Sequence, residues 1–219
     1  MMRSRHHRWN PPTLSGNRLQ LRPLNDDDFS SWSRVRLRNA DWLLRWEPLR
    51  PEYAPDPAVE RSAFVNRCRA RERETAADQA YPFGIFVSGQ LVGEINLNNV
   101  VRGALQSGTL GYWIDQAHAG NSFMSEAVVV MLSFAFDRLD LHRVEICIVP
   151  RNSNSKRVVE KIGLRFEGTA ERYLQIAGVW EDHLRYAITS EEWKERAGDL
   201  LNEWAHNSPN DVASPTERS

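Results

Sequence analysis

The chain has 219 residues, of which 41% are hydrophobic, enough to build one domain with a substantial core. Its 28 basic and 29 acidic side chains give a formal net charge of −1, so the chain as a whole offers no electrostatic attraction to nucleic acid or an anionic membrane surface. Two cysteines exclude a disulfide scaffold, and no apolar run approaches the roughly 18 residues of a membrane helix.

Both ends of the chain have the composition of tails. Residues 1–14 are basic and then interrupted by prolines, whereas the C-terminal residues are polar, contain two prolines and lack periodicity. We therefore expect a single domain at residues 15–196, preceded by a basic tail at 1–14 and followed by a flexible polar tail at 197–219.

In the first half of the domain, the residue pattern predicts one strand, two helices and then three strands. "RLQLRPL" alternates like a short strand, and the acidic residues of "NDDDFSSW" are typical of the start of a helix. After a charged helical segment, "YPFGIFV" and "LVGEINLNNVV" predict a hairpin, and "GTLGYWI" predicts a third strand. These strands form an antiparallel meander.

The second half contains the clearest helix, because apolar side chains recur at helical spacing between Met124 and Leu139. "HRVEICIV" then predicts a strand, "SNSKRVVEKIG" a short helix, and "LRFEGTAERYLQIAG" and "VWEDHLRYAIT" two more strands. Strands on both sides of a central helix indicate an α/β or α+β sheet of mixed direction.

A short turn of small residues, Gly120, Asn121 and Ser122, leads from the third strand into this helix. The unpaired N–H groups of a helix N-terminus can hold phosphate oxygens, and Asn121 tolerates left-handed backbone geometry. Equally, the turn can be an ordinary helix cap in which Gly120 only redirects the chain. Glu126 in the first helical turn would repel a phosphate, so we expect it to point aside.

The succession from Gly111 to Gly168 resembles the GNAT superfamily of acetyl-CoA-dependent N-acetyltransferases. Further similarity, to the ribosomal-protein-alanine N-acetyltransferase branch, rests on "VGEINLNNVVRG", "GYWID", "MSEAV", "HRVE", "NSNS", "VVEKIGLRFEG" and "GVWEDH". This resemblance covers roughly residues 17–193. It implies the GNAT fold, a mostly antiparallel seven-stranded mixed sheet flanked by helices, with a splayed central strand pair that binds acetyl-CoA.

The phosphate loop of that family falls on residues 119–124, where three positions depart from its pattern. Ala119 replaces Gln or Arg, Ser122 replaces a glycine, and Met124 fills a small site. Because the donors are backbone N–H groups, we expect weaker or differently posed cofactor binding rather than none. The resemblance assigns the cofactor to Trp113, Ile114, Gly120, Asn121, Ser122, Phe123, Met124, Ser125, Asn152 and Ser155. For Asn152 and Ser155, capping of the short helix is the alternative.

The reaction needs a neutral amine and a proton for the leaving thiolate. Glu94 is the candidate base, with an ordinary outward position on an alternating strand as the alternative, and Ser155 or Tyr173 is the candidate acid. Asn96, Arg102, Asp182 and His183 are the expected acceptor residues. Arg102 either binds a peptide carboxylate or caps a strand end, and adjacent Asp182 and His183 point to opposite faces. His118 either faces solvent or contacts a phosphate.

The acetyl acceptor is expected to be the N-terminal α-amine of a protein, and ribosomal proteins are among the expected acceptors. Such an amine titrates near ~8 and a lysine near ~10.4, so the neutral form costs about 1.4 rather than about 4.6 kcal/mol at pH 7. A polyamine or aminoglycoside acceptor, which an acidic groove would favour, and a degenerate non-catalytic module remain as alternatives. We expect a cytoplasmic monomer or homodimer that releases coenzyme A and has no metal, direct nucleic-acid partner or membrane partner.

Overall fold

The computed structural model describes residues 12–205, and within them eight strands form one sheet. The strands are β1 (Leu14–Ser15), β2 (Leu19–Arg22), β3 (Tyr81–Val87), β4 (Gln90–Val101), β5 (Ser107–Ile114), β6 (Arg143–Ile148), β7 (Arg165–Ile176) and β8 (Val179–Thr189). Their order across the sheet is β1-β2-β3-β4-β5-β6-β8-β7. The mixed sheet confirms the expected class. The additional strand is β1, whose two residues are too few to show a periodicity in the sequence.

Six α-helices cover the two faces of the sheet in the described part of the chain. They are α1 (Phe29–Arg38), α2 (Ala40–Leu43), α3 (Arg61–Ala76), α4 (Phe123–Ser133), α5 (Ser153–Lys161) and α6 (Ser190–Trp204). None of these helices is both long and apolar enough to span a lipid bilayer.

The main core lies between the sheet and α4. Residues Met124 to Leu132 of this helix are all buried, and they pack with inward-facing side chains of the strands such as Ile85, Ile95 and Val144. A smaller cluster on the opposite face joins Trp32 of α1 to Phe64 and Cys68 of α3. Both faces of the meander are therefore covered, because α1 and α3 pack on the side opposite α4.

The C-terminal helix begins at a capping box in the segment "TSEEW". The backbone N–H of Thr189 donates to Glu192 at 2.8 Å, and the Thr189 hydroxyl accepts from the Glu192 N–H. α6 continues to Trp204, so the expected domain boundary at residue 196 falls inside it, and Leu200 is buried in the core. The boundary at residue 14 likewise falls inside β1. The remaining parts of the two expected tails, 1–11 and 206–219, lie outside the described residues.

Every strand pairing is antiparallel except that of β5 with β6. These two strands pair in parallel at Ser107–Arg143, Gly108–Val144 and Thr109–Glu145, and beyond Thr109 the described chain shows no further pairing between them. Both strands nevertheless continue, β5 to Ile114 and β6 to Ile148. The predicted splay is therefore present at the centre of the sheet.

Gly93 of β4 allows close approach to β5 at the level of this opening. A Cβ atom at Gly93 would lie less than 3.0 Å from the carbonyl oxygen of Trp113. Gly93→Ala should therefore lower the free energy of unfolding by about 1–3 kcal/mol, as overpacking does, in denaturant titrations.

Gly198→Ala provides the matched control, because a Cβ atom there meets nothing within 4 Å. It lies inside α6 and should raise stability by about 0.5–1 kcal/mol through helix propensity. A Gly93→Ala protein as stable as the parent would show that β4 and β5 can move apart at no cost.

Candidate functional site

A cleft of about 360 Å³ opens where β5 and β6 separate. The end of β5, the N-terminus of α4, one side of α5 and the segment 42–47 line it. All the residues expected to hold the cofactor line this cleft except Asn121. The carbonyl of Ile114, one of the main-chain groups near the opening, accepts a hydrogen bond of 3.2 Å from Trp42 Nε1.

The turn that leads into α4 has two left-handed residues, Gly120 with φ +82° and Ser122 with φ +63°. A Cβ atom at Gly120 would meet nothing within 4 Å, so a side chain would fit there. Glycine is favoured because of the positive φ angle. Asn121, expected to tolerate this geometry, is not left-handed; its amide instead donates to the carbonyls of His118 and Ala119.

Ser122 is the N-cap of α4, but its side chain makes no capping hydrogen bond to the helix. Its hydroxyl accepts a bond of 2.8 Å from Lys161 Nζ on α5. The first N–H groups of α4 are therefore without a side-chain cap at the cleft, as an anion site requires. Glu126 does point aside, as expected, because it is buried and bound by Arg18.

A buried carboxylate, Asp115, fixes the start of the turn. It accepts hydrogen bonds from Arg38, from Asn39 Nδ2 at 2.8 Å and from the ring of His118 at 3.0 Å. Burial alone would raise the pKa of Asp115, but these hydrogen bonds outweigh burial and lower it to about 2. Because the carboxylate accepts, His118 Nδ1 carries a proton, and Nε2 is the ring nitrogen left for a ligand in the cleft that His118 lines.

On the opposite wall, Asn152 and Ser155 belong to the first turn of α5. Asn152 is the N-cap, and its Oδ1 accepts from the Ser155 N–H at 3.1 Å, which is the capping role considered as the alternative. The Ser155 hydroxyl lies 2.9 Å from the Tyr112 hydroxyl. Burial raises the pKa of Tyr112 above its usual value, so the phenol keeps its proton at neutral pH.

Comparison with known proteins identifies the family. Residues 18–165 match the family described as "Acetyltransferase (GNAT) domain". The chain belongs to this family. It is 36% identical over 177 residues to YjcK of Bacillus subtilis, named as a probable N-acetyltransferase, covering 80% of this chain and 96% of that protein.

Two further similarities concern ribosomal-protein acetyltransferases. The chain is 30% identical over 184 residues to the [ribosomal protein uS5]-alanine N-acetyltransferase of Escherichia coli, covering 82% of this chain and 92% of that enzyme. The structure of Mycobacterium smegmatis RimJ in complex with CoA-disulfide matches with a TM-score of 0.81 and 33% identity, over 90% of this chain and 95% of that one. The chain is thus a GNAT N-acetyltransferase, as the sequence motifs indicated.

Two expected acceptor residues of this GNAT domain, Asp182 and His183, lie outside the cleft lining. Asp182 is exposed and accepts from the N–H of Arg172 at 2.8 Å. His183 is buried on the other face, where Nδ1 donates to the Glu181 carbonyl at 3.0 Å. Tyr173, the second candidate acid, packs edge-on against the His183 ring and also does not line the cleft.

Glu94 lies on the face of β4 that α1 and α3 cover. It is 2% exposed and accepts from Trp32 Nε1 and, at 2.5 Å, from Arg67. The alternation of β4 leaves an outward, solvent-facing position for Glu94 as the alternative. The structure shows a buried position instead, because α1 and α3 cover this face of the strand, and strand periodicity does not reveal which helices cover a face. Glu94 lines a separate cavity of about 810 Å³ beside α3 and not the cleft, and Trp32 and Arg67 bind its carboxylate oxygens, so its placement does not favour a general base.

The other two expected acceptor residues, Asn96 on β4 and Arg102 directly after it, differ in their environments. Asn96 has a buried Oδ1 with no hydrogen-bond partner within residues 12–205. Arg102 donates two bonds to Asp78, of 2.6 and 2.8 Å, and a third to the carbonyl of Leu139. Arg102 therefore ties Asp78 to the carbonyl of Leu139, and it does not line the cleft.

Tyr112 is one of the cleft residues that sequence reasoning missed. The available signal was its position in "GYWID", one residue before Trp113 on the strand expected to splay. Its partner Ser155 lies 43 positions later, so only the fold brings the two hydroxyls together.

The Asp115 network predicts a defined dependence of stability on pH. The pKa of about 2 in the folded protein lies below the ordinary value of 3.8. This carboxylate therefore stabilises the fold above about pH 4, and the contribution is lost as the pH falls from about 4 towards 2. Asp115→Asn should lower the free energy of unfolding at pH 7 by about 2 kcal/mol and flatten its decline at acid pH, measured by denaturant titration. A variant with the acid sensitivity of the parent would contradict this assignment.

Proposed function

We propose that this GNAT enzyme transfers the acetyl group of acetyl-CoA to a protein N-terminal α-amine, with a ribosomal protein as the first acceptor to test. Acetyl-CoA supplies the acetyl group as an activated thioester and leaves as coenzyme A. The similarity of the chain to RimJ, whose structure was solved with CoA-disulfide, and to the uS5-alanine N-acetyltransferase supports this proposal.

The donor set of the cleft suits a long anionic cofactor. The N-terminal N–H groups of α4, behind Gly120 and Ser122, favour pyrophosphate oxygens, and Arg157 and Lys161 of α5 add positive charge to the lining. Trp113 and Ile114 lie on the part of β5 that has no partner strand on its β6 side. Main-chain groups there favour an extended amide-containing arm, in the manner of an added strand.

Ser155 is the residue best placed to deliver a proton at the reacting end of the cleft. Its hydroxyl lies within the lining, and the Tyr112 hydroxyl 2.9 Å away can donate in turn to Ser155 Oγ. This pair relays to the departing sulfur the proton that the attacking nitrogen loses as the amide forms, so that coenzyme A leaves as a thiol and both hydroxyls are restored. An α-amine reaches its neutral form at little cost and needs no strong protein base.

One observation carries the choice of acceptor: Glu47 is the only carboxylate among the described residues that line the cleft. Glu47 is itself held by Arg36 through two bonds of 2.7 and 2.6 Å. A polyamine or aminoglycoside carries several positive charges and would need uncompensated carboxylates. A single N-terminal amine makes no such demand.

The surface beside the cleft also favours a protein acceptor. The N–H of Ala177 donates to the carbonyl of Glu47 at 2.9 Å, which joins the β7–β8 turn to the cleft segment. Leu49, Val179 and Trp180 are exposed at this junction, with 59–66% of their surface accessible. Leu49 lies beside Gly178 of the turn, and exposed apolar side chains that form a patch are typical of protein contact sites.

The test is a mass-spectrometric screen with acetyl-CoA in which N-terminal peptides, among them those of ribosomal proteins, compete with polyamines and aminoglycosides. We expect peptide α-amines to be acetylated. Acetylation of polyamines but no peptide N-terminus would refute the acceptor class. Absence of saturable coenzyme A binding in calorimetry at millimolar concentration would refute the enzymatic role itself.

Substitution of the two candidate acids separates their roles. Ser155→Ala should lower kcat about 100-fold with a small change in KM for acetyl-CoA, because it removes a proton donor of the lining. Tyr173→Phe should leave kcat near the parent value, because Tyr173 does not line the cleft. Steady-state kinetics with one peptide measure both; the opposite ranking would assign the proton to Tyr173.

A further inference from the structure

A buried carboxylate lies directly behind the anion-binding turn. Glu126 is in the first turn of α4 and is only 1% exposed. A carboxylate in the first turn stabilises a helix, but its negative charge competes with any anion at the same N-terminus. A pyrophosphate can therefore bind well at this turn only if the charge of Glu126 is compensated.

Arg18, which lies 108 positions earlier in the chain, provides that compensation. Its backbone N–H donates to Glu126 Oε1 at 2.6 Å and its Nε donates to Oε2 at 2.8 Å. Gly16 leaves the room for this contact, since a Cβ atom there would lie 2.6 Å from Glu126 Oε1. Both carboxylate oxygens are thus bound by one residue.

The same guanidinium also holds the turn. Arg18 Nη1 donates to the carbonyl of Asn121 at 3.1 Å, and its Cζ lies 4.7 Å from the centre of the Phe123 ring. These contacts fix the residues on either side of left-handed Ser122. Ala119 contributes no polar side chain to this turn, so the cation behind it comes from a distant segment.

We propose that Arg18 is a positioning residue for the pyrophosphate of acetyl-CoA. It cancels the charge of Glu126 and holds Asn121 and Phe123 so that the N–H groups of α4 face the cleft. This inference rests on the proposed cofactor but not on the acceptor.

Calorimetric titration with coenzyme A tests the electrostatic part. Arg18→Met, which keeps an apolar side chain of similar reach, should weaken binding at least about tenfold, or about 1.4 kcal/mol. Glu126→Gln, which keeps an oxygen acceptor for Arg18, should tighten binding. The double variant should recover most of the affinity lost in Arg18→Met, because the uncompensated charge is gone.

Arg102→Met is the matched control, because it also removes an arginine side chain that binds one carboxylate and one backbone carbonyl, away from the cleft. It should bind coenzyme A like the parent. If Arg18→Met does not fold, Glu126→Gln alone decides, since unchanged or weaker binding in that variant would overturn the proposal.

A kinetic comparison separates positioning from general structural damage. S-acetylpantetheine lacks the pyrophosphate, so Arg18→Met should raise KM for acetyl-CoA while leaving kcat/KM for S-acetylpantetheine near the parent value. Equal losses with both donors, or a double variant as weak as Arg18→Met, would overturn the proposal. A parent protein that binds coenzyme A but acetylates no peptide would contradict the proposed acceptor and leave this inference intact.

Discussion

The parallel pairing of β5 with β6 stops after Thr109 and Glu145, and the functional cleft depends on that stop. Main-chain groups past this point have no neighbouring strand on that side, and backbone polar groups require partners. Trp42 satisfies one of them by donating to Ile114. On its other edge, β5 remains paired with β4 as far as Ile114, so the strand stays rigid where it lines the cleft.

Two buried carboxylates bracket the turn that follows β5. Asp115 precedes the turn and is bound by Arg38, whereas Glu126 follows it and is bound by Arg18. Both arginines come from about the first forty residues, which otherwise contribute little to the cleft. A buried carboxylate that loses its partner is costly, so this segment and the turn hold each other in place. The unusual backbone of the turn, left-handed at Ser122, is consistent with such support from outside.

The sequence predicted local features well and long-range pairings poorly. The apolar spacing of α4 and the alternation of β3 to β5 located the core, and the family resemblance located the cleft residues. Tyr112 and Arg18 were missed because their partners lie 43 and 108 positions away, a distance at which no periodicity carries information. The surroundings of Glu94, the candidate base, were missed for a related reason, since strand alternation does not reveal that Trp32 and Arg67 bind its carboxylate.

The serine at position 122 illustrates how a departure from the family pattern can be compensated. A non-glycine residue in left-handed geometry costs on the order of 1 kcal/mol, which the glycine of the family pattern would avoid. Glycine, however, has no hydroxyl to accept the bond of 2.8 Å from Lys161. That bond links α5, which contains Ser155, directly to the turn before α4. The left-handed backbone at Ser122 is therefore accompanied by a hydrogen bond that connects the two walls of the cleft, the turn proposed to bind phosphate and the helix that contains the proposed proton donor.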